Sequence, residues 1–229
     1  MSNTSHLAEL YQSHHESRGR LGFSILEKER ADWIIRHTPK GGVWLDLGCR
    51  DGTLTKHFVD RVDDLVGVDI DPTAIERAKH TVGRGSFFGM DLLGDWSELE
   101  DRKFDVILCS EVLEHVYQPE IVVSKIIQHL KPGGRFVGTV PNAFFLKHRF
   151  RYLLGQRACT PLEDPTHITQ FNAQHLKWVL TFTQTPVTLV LEGYTRPPFR
   201  KLASIAPSMF AYNFLFEVHY TEMVSSSTK

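Results

Sequence analysis

Short apolar runs rich in β-branched residues alternate along most of the chain with stretches whose apolar positions recur every three to four residues. Residues 43–47, 65–69, 86–90, 104–110 and 135–140 carry the first pattern and are expected to be strands. Residues 53–59, 72–80 and 119–130 carry the second and are expected to be helices. In the last of these, Ile121, Val122, Ile126, Ile127 and Leu130 gather on one side. Strands alternating with helices of this length need crossover connections, which predicts a parallel sheet covered on both faces. Such a sheet binds ligands at the carboxyl ends of its strands, near the switch in strand order.

The flanks complete the pattern. Phe23, Leu26, Trp33 and Ile34 fall at helical spacing among Glu27, Lys28, Glu29 and Arg30, so residues 23–37 are expected to form one amphipathic helix, ended by Pro39-Lys40-Gly41-Gly42. Residues 1–22 are polar, contain His6, His14 and His15, and read as an N-terminal arm. Residues 141–170 break the alternation with Pro141, a basic and aromatic run and several turn signals, and read as a lid or substrate-recognition insert. A helix over 172–182 capped by Asn172 and strands over 187–191 and 210–220 then bring the strand count to seven. The expected organisation is one domain over 23–222 with a flexible tail over 223–229.

Charge narrows the partners. The 26 Lys+Arg against 27 Asp+Glu leave a formal net charge of -1, so the chain as a whole has no bias toward nucleic acid or anionic membrane. Cys49, Cys109 and Cys159 are too few and too scattered for a disulfide framework, and no run reaches the roughly 18 apolar residues of a membrane span. The N-terminal segment has no apolar leader core. The expectation is a soluble, cytoplasmic protein.

Three strand ends carry candidate chemistry. Val43-Trp44-Leu45-Asp46-Leu47-Gly48-Cys49-Arg50-Asp51-Gly52 runs from a buried strand into a glycine-containing turn, but lacks the G-x-G-x-x-G spacing that holds a pyrophosphate. Asp46 and Asp51 would repel phosphates and suit a ligand bearing an ammonium and a sulfonium. Asp69, 21 residues after Gly48, ends the next strand, where an acid accepts hydrogen bonds from ribose hydroxyls. Asp91, in Gly89-Met90-Asp91-Leu92, can take an adenine amino group. Together these features describe an adenosyl ligand with a cationic tail.

Here the sequence resembles the class I S-adenosylmethionine-dependent methyltransferases. Asp46-Leu47-Gly48-Cys49-Arg50-Asp51-Gly52 follows their D-x-G-C-G-x-G signature except that Arg50 replaces the middle glycine. The resemblance continues through Gly67–Asp71, through Phe104-Asp105-Val106-Ile107-Leu108-Cys109-Ser110-Glu111-Val112-Leu113-Glu114-His115 and through Leu130-Lys131-Pro132-Gly133-Gly134, covering about residues 40–142. It implies a doubly wound α/β fold with a mostly parallel seven-stranded sheet and S-adenosylmethionine as cofactor. The implied binding residues are Asp46, Gly48, Cys49, Arg50 and Gly52 at the methionine end, Asp69 and Ile70 at the ribose, Asp91 and Leu92 at the adenine, and Ser110 beside the methyl group.

Transfer from a sulfonium needs an in-line nucleophile and, for a hydroxyl acceptor, a base. His115 and His167 are the candidates. Glu111, Glu114, His115 and His167 also make a candidate divalent-metal set that resembles the metal site of small-RNA 2′-O-methyltransferases, and similar E-x-x-E-H runs occur in ubiquinone-biosynthesis O-methyltransferases. The expected acceptor is a hydroxyl of a small molecule or of a glycan or lipid precursor. The alternatives are a metal-dependent RNA 2′-O-methyltransferase and a methyltransferase-like binding module that Arg50 has disabled. The run 144–157 interleaves bases with aromatics, a composition that suits a solvated lid helix, nucleic acid or an anionic membrane surface.

Overall fold

The computed structural model describes residues 3–17, 19, 21–183, 187–195 and 200–220. Strands β1 (Val43–Leu47), β2 (Asp64–Asp69), β3 (Ser86–Gly89), β4 (Phe104–Ser110), β5 (Leu130–Pro141), β6 (Val187–Tyr194) and β7 (Asn213–Tyr220) form one sheet in the order β3-β2-β1-β4-β5-β7-β6. The first five are parallel, and β7 runs antiparallel between β5 and β6. The chain works outward from β1 to β3 and then returns to lay β4 on the other side of β1. The order therefore reverses between β1 and β4, and a crevice opens at their carboxyl ends.

The helices are α1 (Asn3–Ser17), α2 (Glu27–His37), α3 (Pro72–Val82), α4 (Pro119–His129), α5 (Leu146–Leu153), α6 (Ala173–Leu180), α7 (Arg200–Ile205) and α8 (Pro207–Phe210). Alternation within the strands feeds two cores. Leu45, Leu47, Ile107 and Cys109 pack with Val122, Ile126, Leu176 and Val179 of α4 and α6. Trp44, Val106 and Leu108 pack with Trp33 and Ile34 of α2 and with Ile75 and Ala78 of α3. Each fully buried large apolar side chain contributes about 1.5–3 kcal/mol, which is why runs apolar on both faces end up in the centre of the sheet.

Several boundaries differ from those read in the sequence. The expected helix over 53–59 is instead a pair of short 3-10 turns, Thr55–His57 and Val59–Arg61. Thr55 gives its hydroxyl to Asp46 at 2.6 Å, and Phe58, Val59 and Val62 all turn into the second core. The helix expected from residue 23 starts at Glu27, after Leu26 takes a left-handed φ of 53°. The last strand starts at Asn213 because Pro207–Phe210 is helical. Residues 3–17, read as a polar arm, are helix α1. The tail expected over 223–229 lies outside the described residues.

Candidate active site

The carboxyl ends of β1 to β4 open onto a cavity of about 430 Å³, within the roughly 300–1,000 Å³ typical of small-molecule sites. Gly48 leaves β1 with a φ of +69°, and a Cβ there would lie 2.4 Å from Val112 Cγ2, so only glycine lets the turn pass beneath the β4 loop. Its amide and that of Cys49 both donate to the Val68 carbonyl, at 2.8 and 3.0 Å. At Gly52 a Cβ would lie 2.6 Å from Val82 Cγ2 and 3.3 Å from Ala78 Cα, which fits this glycine to close packing on α3.

Arg50 adopts the left-handed conformation that a glycine would favour, with a φ of 50°. For a residue with a side chain that costs roughly 1–2 kcal/mol. Its contacts offset the cost: the amide donates to Asp69 Oδ2 at 2.9 Å, Nε to Asp51 Oδ1 at 3.3 Å, and Nη2 to the Phe23 carbonyl. Asp51 in turn accepts from the Gly22 amide. The loop after β1 thus grips the segment that joins α1 to α2.

Asp69, Ile70, Asp91 and Leu92 line the cavity with Gly48 and Arg50. Asp69 is buried and accepts from the amides of Arg50 and Asp71, at 2.9 and 3.0 Å. Burial pushes its carboxyl upward against those hydrogen bonds and the nearby His15. Asp91 accepts from the Leu93 amide at 2.9 Å, and Lys125 on α4 holds the carbonyls of Leu92 and Leu93 at 3.3 and 3.0 Å. Asp46, Cys49, Gly52 and Ser110 are not lining residues. Burial pushes the Asp46 carboxyl up to about 7 despite the hydrogen bond from Thr55. Ser110 is hydrogen-bonded to Thr139 at 2.8 Å and accepts from Arg30 at 3.0 Å.

A second group of lining residues follows β4. Glu111 has a φ of 59°, and its Oε1 accepts from Thr139 at 2.7 Å and from Asn213 at 2.8 Å. Glu114 is 1% exposed and neither carboxylate oxygen has a hydrogen-bond partner. Burial, reinforced by the charge of Glu111, pushes its carboxyl well above the usual range. His115 Nδ1 donates to the Thr166 carbonyl at 3.0 Å. A carbonyl only accepts, so the other ring nitrogen, Nε2, carries the lone pair, and it lies 4.0 Å from Glu114 Oε1. Burial, with the neighbouring His167, lowers the His115 pKa to about 3.

His167 comes from the insert, its ring edge-on to His115 at 4.8 Å and its Nε2 4.0 Å from Asp164 Oδ2. Burial would raise the Asp164 carboxyl, but hydrogen bonds from Thr166 and the nearness of His167 and His14 outweigh it and hold the pKa at about 2. One ligand atom each from Glu114, His115 and His167 lie within 4.8 Å of one another. Two imidazoles and a carboxylate suit a divalent ion of intermediate softness. Glu111 stands outside that group, its carboxylate held by Thr139 and Asn213.

Two contributors escaped the sequence reading. Arg30 is 5% exposed, lines the cavity and donates to Ser110 and Ser24, so it offers a cation for an anionic group of a ligand. Its signal was helical spacing: Arg30 lies four residues before buried Ile34 and three before buried Trp33, on the apolar face of α2. Helix α1 contributes Leu7, Tyr11, His14 and His15 to the lining. Tyr11 donates its hydroxyl to the His115 carbonyl at 3.1 Å, His15 Nδ1 donates to Asp71 at 2.8 Å, and His14 lies 3.5 Å from Asp164. Leu7, Tyr11 and His14 recur at helical spacing, which was the available clue.

Comparison with known proteins agrees with this geometry. A family described as a methyltransferase domain matches residues 23–183. The ubiquinone biosynthesis O-methyltransferase of Azoarcus sp. (strain BH72) is 30% identical over 142 residues, 60% of this chain and 61% of that protein. The mitochondrial ubiquinone biosynthesis O-methyltransferase of Schizosaccharomyces pombe is 36% identical over 155 residues, 62% of this chain and 56% of that protein. The chain spans about half to three-fifths of the length of these curated relatives. Among solved structures, the N-methyltransferase NodS from Bradyrhizobium japonicum WM9 in complex with S-adenosyl-l-homocysteine matches with a TM-score of 0.62 at 19% identity, covering 96% of this chain and 100% of that one. An S-adenosylmethionine-dependent methyltransferase from Clostridium acetobutylicum ATCC 824 matches with a TM-score of 0.64 at 14% identity, covering 93% and 99%. At these identities the structural likeness is one of fold.

Proposed function

The chain belongs to the class I S-adenosylmethionine-dependent methyltransferases, and on that premise we propose that it methylates a hydroxyl of a small molecule or of a glycan or lipid precursor. One observation carries the reading: a single cavity joins the acids at the tips of β2 and β3, Asp69 and Asp91, to the imidazoles of His115 and His167. The first pair suits the adenosine of the donor, and the second suits an acceptor that must lose a proton.

In this reading Asp69 and Ile70 hold the ribose and Asp91 with Leu92 the adenine. The β1 loop, Gly48 to Gly52, shapes the methionine end, backed by Asp46 and Ser110, and Arg30 takes the donor carboxylate. The acceptor oxygen attacks the methyl carbon as the carbon–sulfur bond breaks, and the electron pair stays on sulfur, which becomes neutral. The hydroxyl proton goes to His167, where ionised Asp164 stabilises the imidazolium. A pKa of about 3 makes His115 a poor proton acceptor near neutral pH and a better positioning group or metal ligand.

The buried, unpartnered carboxylate of Glu114 supports a divalent metal as a second cofactor, held by Glu114, His115 and His167. Such an ion would bind acceptor oxygens and lower their pKa, and with His167 as its ligand it would replace that imidazole in activating the hydroxyl. Residues 141–170 serve as the acceptor-side insert of one catalytic domain, since Thr160, Pro161, Asp164 and His167 line the cavity. Three cysteines without disulfides fit a reducing, cytoplasmic setting.

The test has two steps: calorimetric titration with S-adenosylhomocysteine, then transfer of labelled methyl from S-adenosylmethionine to a catechol and to a primary amine. Micromolar product binding with label on the catechol is expected. No heat with the product would make the chain an inactive module, and label on the amine alone would remove the hydroxyl assignment.

A further inference from the structure

Helix α5 presents its apolar residues to solvent. Leu146–Leu153 buries His148 yet leaves Phe150 62% and Leu153 82% exposed, and Leu154 after it is 69% exposed. A helix in a folded domain ordinarily turns such a stripe to the core. The neighbouring elements continue the feature. Arg149 on α5 donates to the Ser208 carbonyl of α8 at 3.4 Å, and the rings of Phe145 and Tyr212 meet edge-on at 5.9 Å. Just before α8, α7 buries Ala203 and leaves Ile205 80% exposed.

Charge along these two segments is of one sign. The sequence holds no Asp or Glu between Glu120 and Glu163, nor between Glu192 and Glu217. Lys147, Arg149, Arg151 and Arg157 on and after α5, with Arg200 and Lys201 on α7, have no carboxylate within 4.0 Å among the described residues. The guanidinium groups of Arg149, Arg151 and Arg157 donate instead to the carbonyls of Phe144, Ala158 and Leu162, contacts that leave their charge unneutralised. In a chain of net charge -1, this concentrates positive potential on one face.

We infer that α5 and α7 form a surface that docks on an anionic phospholipid bilayer, with Phe150, Leu153, Leu154 and Ile205 entering the acyl boundary and the basic residues meeting headgroup phosphates. Aliphatic side chains at such exposure favour lipid over single-stranded RNA, which is held on aromatic platforms. A second copy of the chain would bring the same positive charges face to face. Thr160, Pro161 and Tyr212, which follow α5 and α8, line the cavity, so docking turns its rim toward the bilayer and suits an amphiphilic acceptor. That consequence for the acceptor rests on the function proposed above, whereas docking itself does not.

The experiment is flotation of the full chain with vesicles of phosphatidylcholine alone and with one-third phosphatidylglycerol, without methyl donor or acceptor. Docking predicts binding to the anionic vesicles only, weakened at least tenfold by high salt, by the double variant Leu153→Glu/Leu154→Glu and, separately, by Ile205→Glu. These side chains are exposed and outside the cavity, so both variants should keep the cooperative thermal melting transition of the wild type, which shows that they fold. No flotation of the wild type, or equal flotation of the variants, overturns the proposal. So does failure to float combined with salt-sensitive retention of an RNA oligonucleotide, or with a dimer that the double variant dissolves. Because no methyl transfer is involved, this test and that of the proposed function fail separately.

Discussion

The backbone amide of Arg50 donates to a carboxylate oxygen of Asp69 at 2.9 Å, so the acid at the end of β2 both faces the cavity and pins the loop leaving β1. Asp69→Asn keeps the shape but replaces one acceptor oxygen by a donor. Loss of a charged acceptor costs about 1.5–3 kcal/mol, roughly a tenfold to hundredfold weaker affinity for S-adenosylhomocysteine. Titration calorimetry checks this, and an unchanged dissociation constant would exclude Asp69 from donor binding.

Asp46 gives the protein a pH signature. Burial raises its carboxyl from an unfolded value of 3.8 to about 7, so between those limits the folded chain binds more protons than the unfolded one. Its contribution to stability is therefore whole below pH 3.8 and is lost as pH rises through 7. Asp46→Asn keeps an oxygen to accept the Thr55 hydroxyl and removes the titration. The melting temperature of the variant should gain on that of the wild type between pH 5 and 8, by up to roughly 4 kcal/mol in stability across the full span. Parallel curves would refute the assignment.

His167→Ala should lower kcat by about 10²–10⁴ while leaving affinity for S-adenosylhomocysteine within twofold. Asp164→Asn should give a smaller loss in the same direction, because the imidazolium formed during transfer loses its nearby anion. A wild-type rate for His167→Ala would remove it as the base.

The metal reading rests on Glu114, whose carboxylate the surrounding protein leaves without a donor. Thermal melts with zinc, manganese or magnesium should stabilise the wild type and leave Glu114→Gln unmoved, with activity lost on chelation and restored by the same ion. If both proteins shift equally, or neither shifts, the metal has no place in this site.

The sheet was legible because its strands are buried on both faces: the runs at β1, β2 and β4 are apolar at nearly every position and end at Gly48, Asp69 and Ser110, the turning points of the site. What escaped depends on partners distant in sequence. Arg30 meets Ser110 across 80 positions and Tyr11 meets His115 across 104, and neither pairing leaves a local trace. Glu111 stood at metal-ligand spacing, yet Thr139 and Asn213, brought alongside by β5 and β7, claim its carboxylate. The spacing near 53–59 was helical, but the Asp46 carboxylate, across the turn, captures Thr55 and shortens the element.

Helix α1 has a bearing on how relatives are compared. The family match begins at residue 23, whereas Leu7, Tyr11, His14 and His15 line the cavity from outside the matched segment. Homologues aligned over the shared core alone would be sorted without these four side chains that touch the ligand space, and a protein that lacked α1 alone would retain all seven strands with one side of its pocket missing.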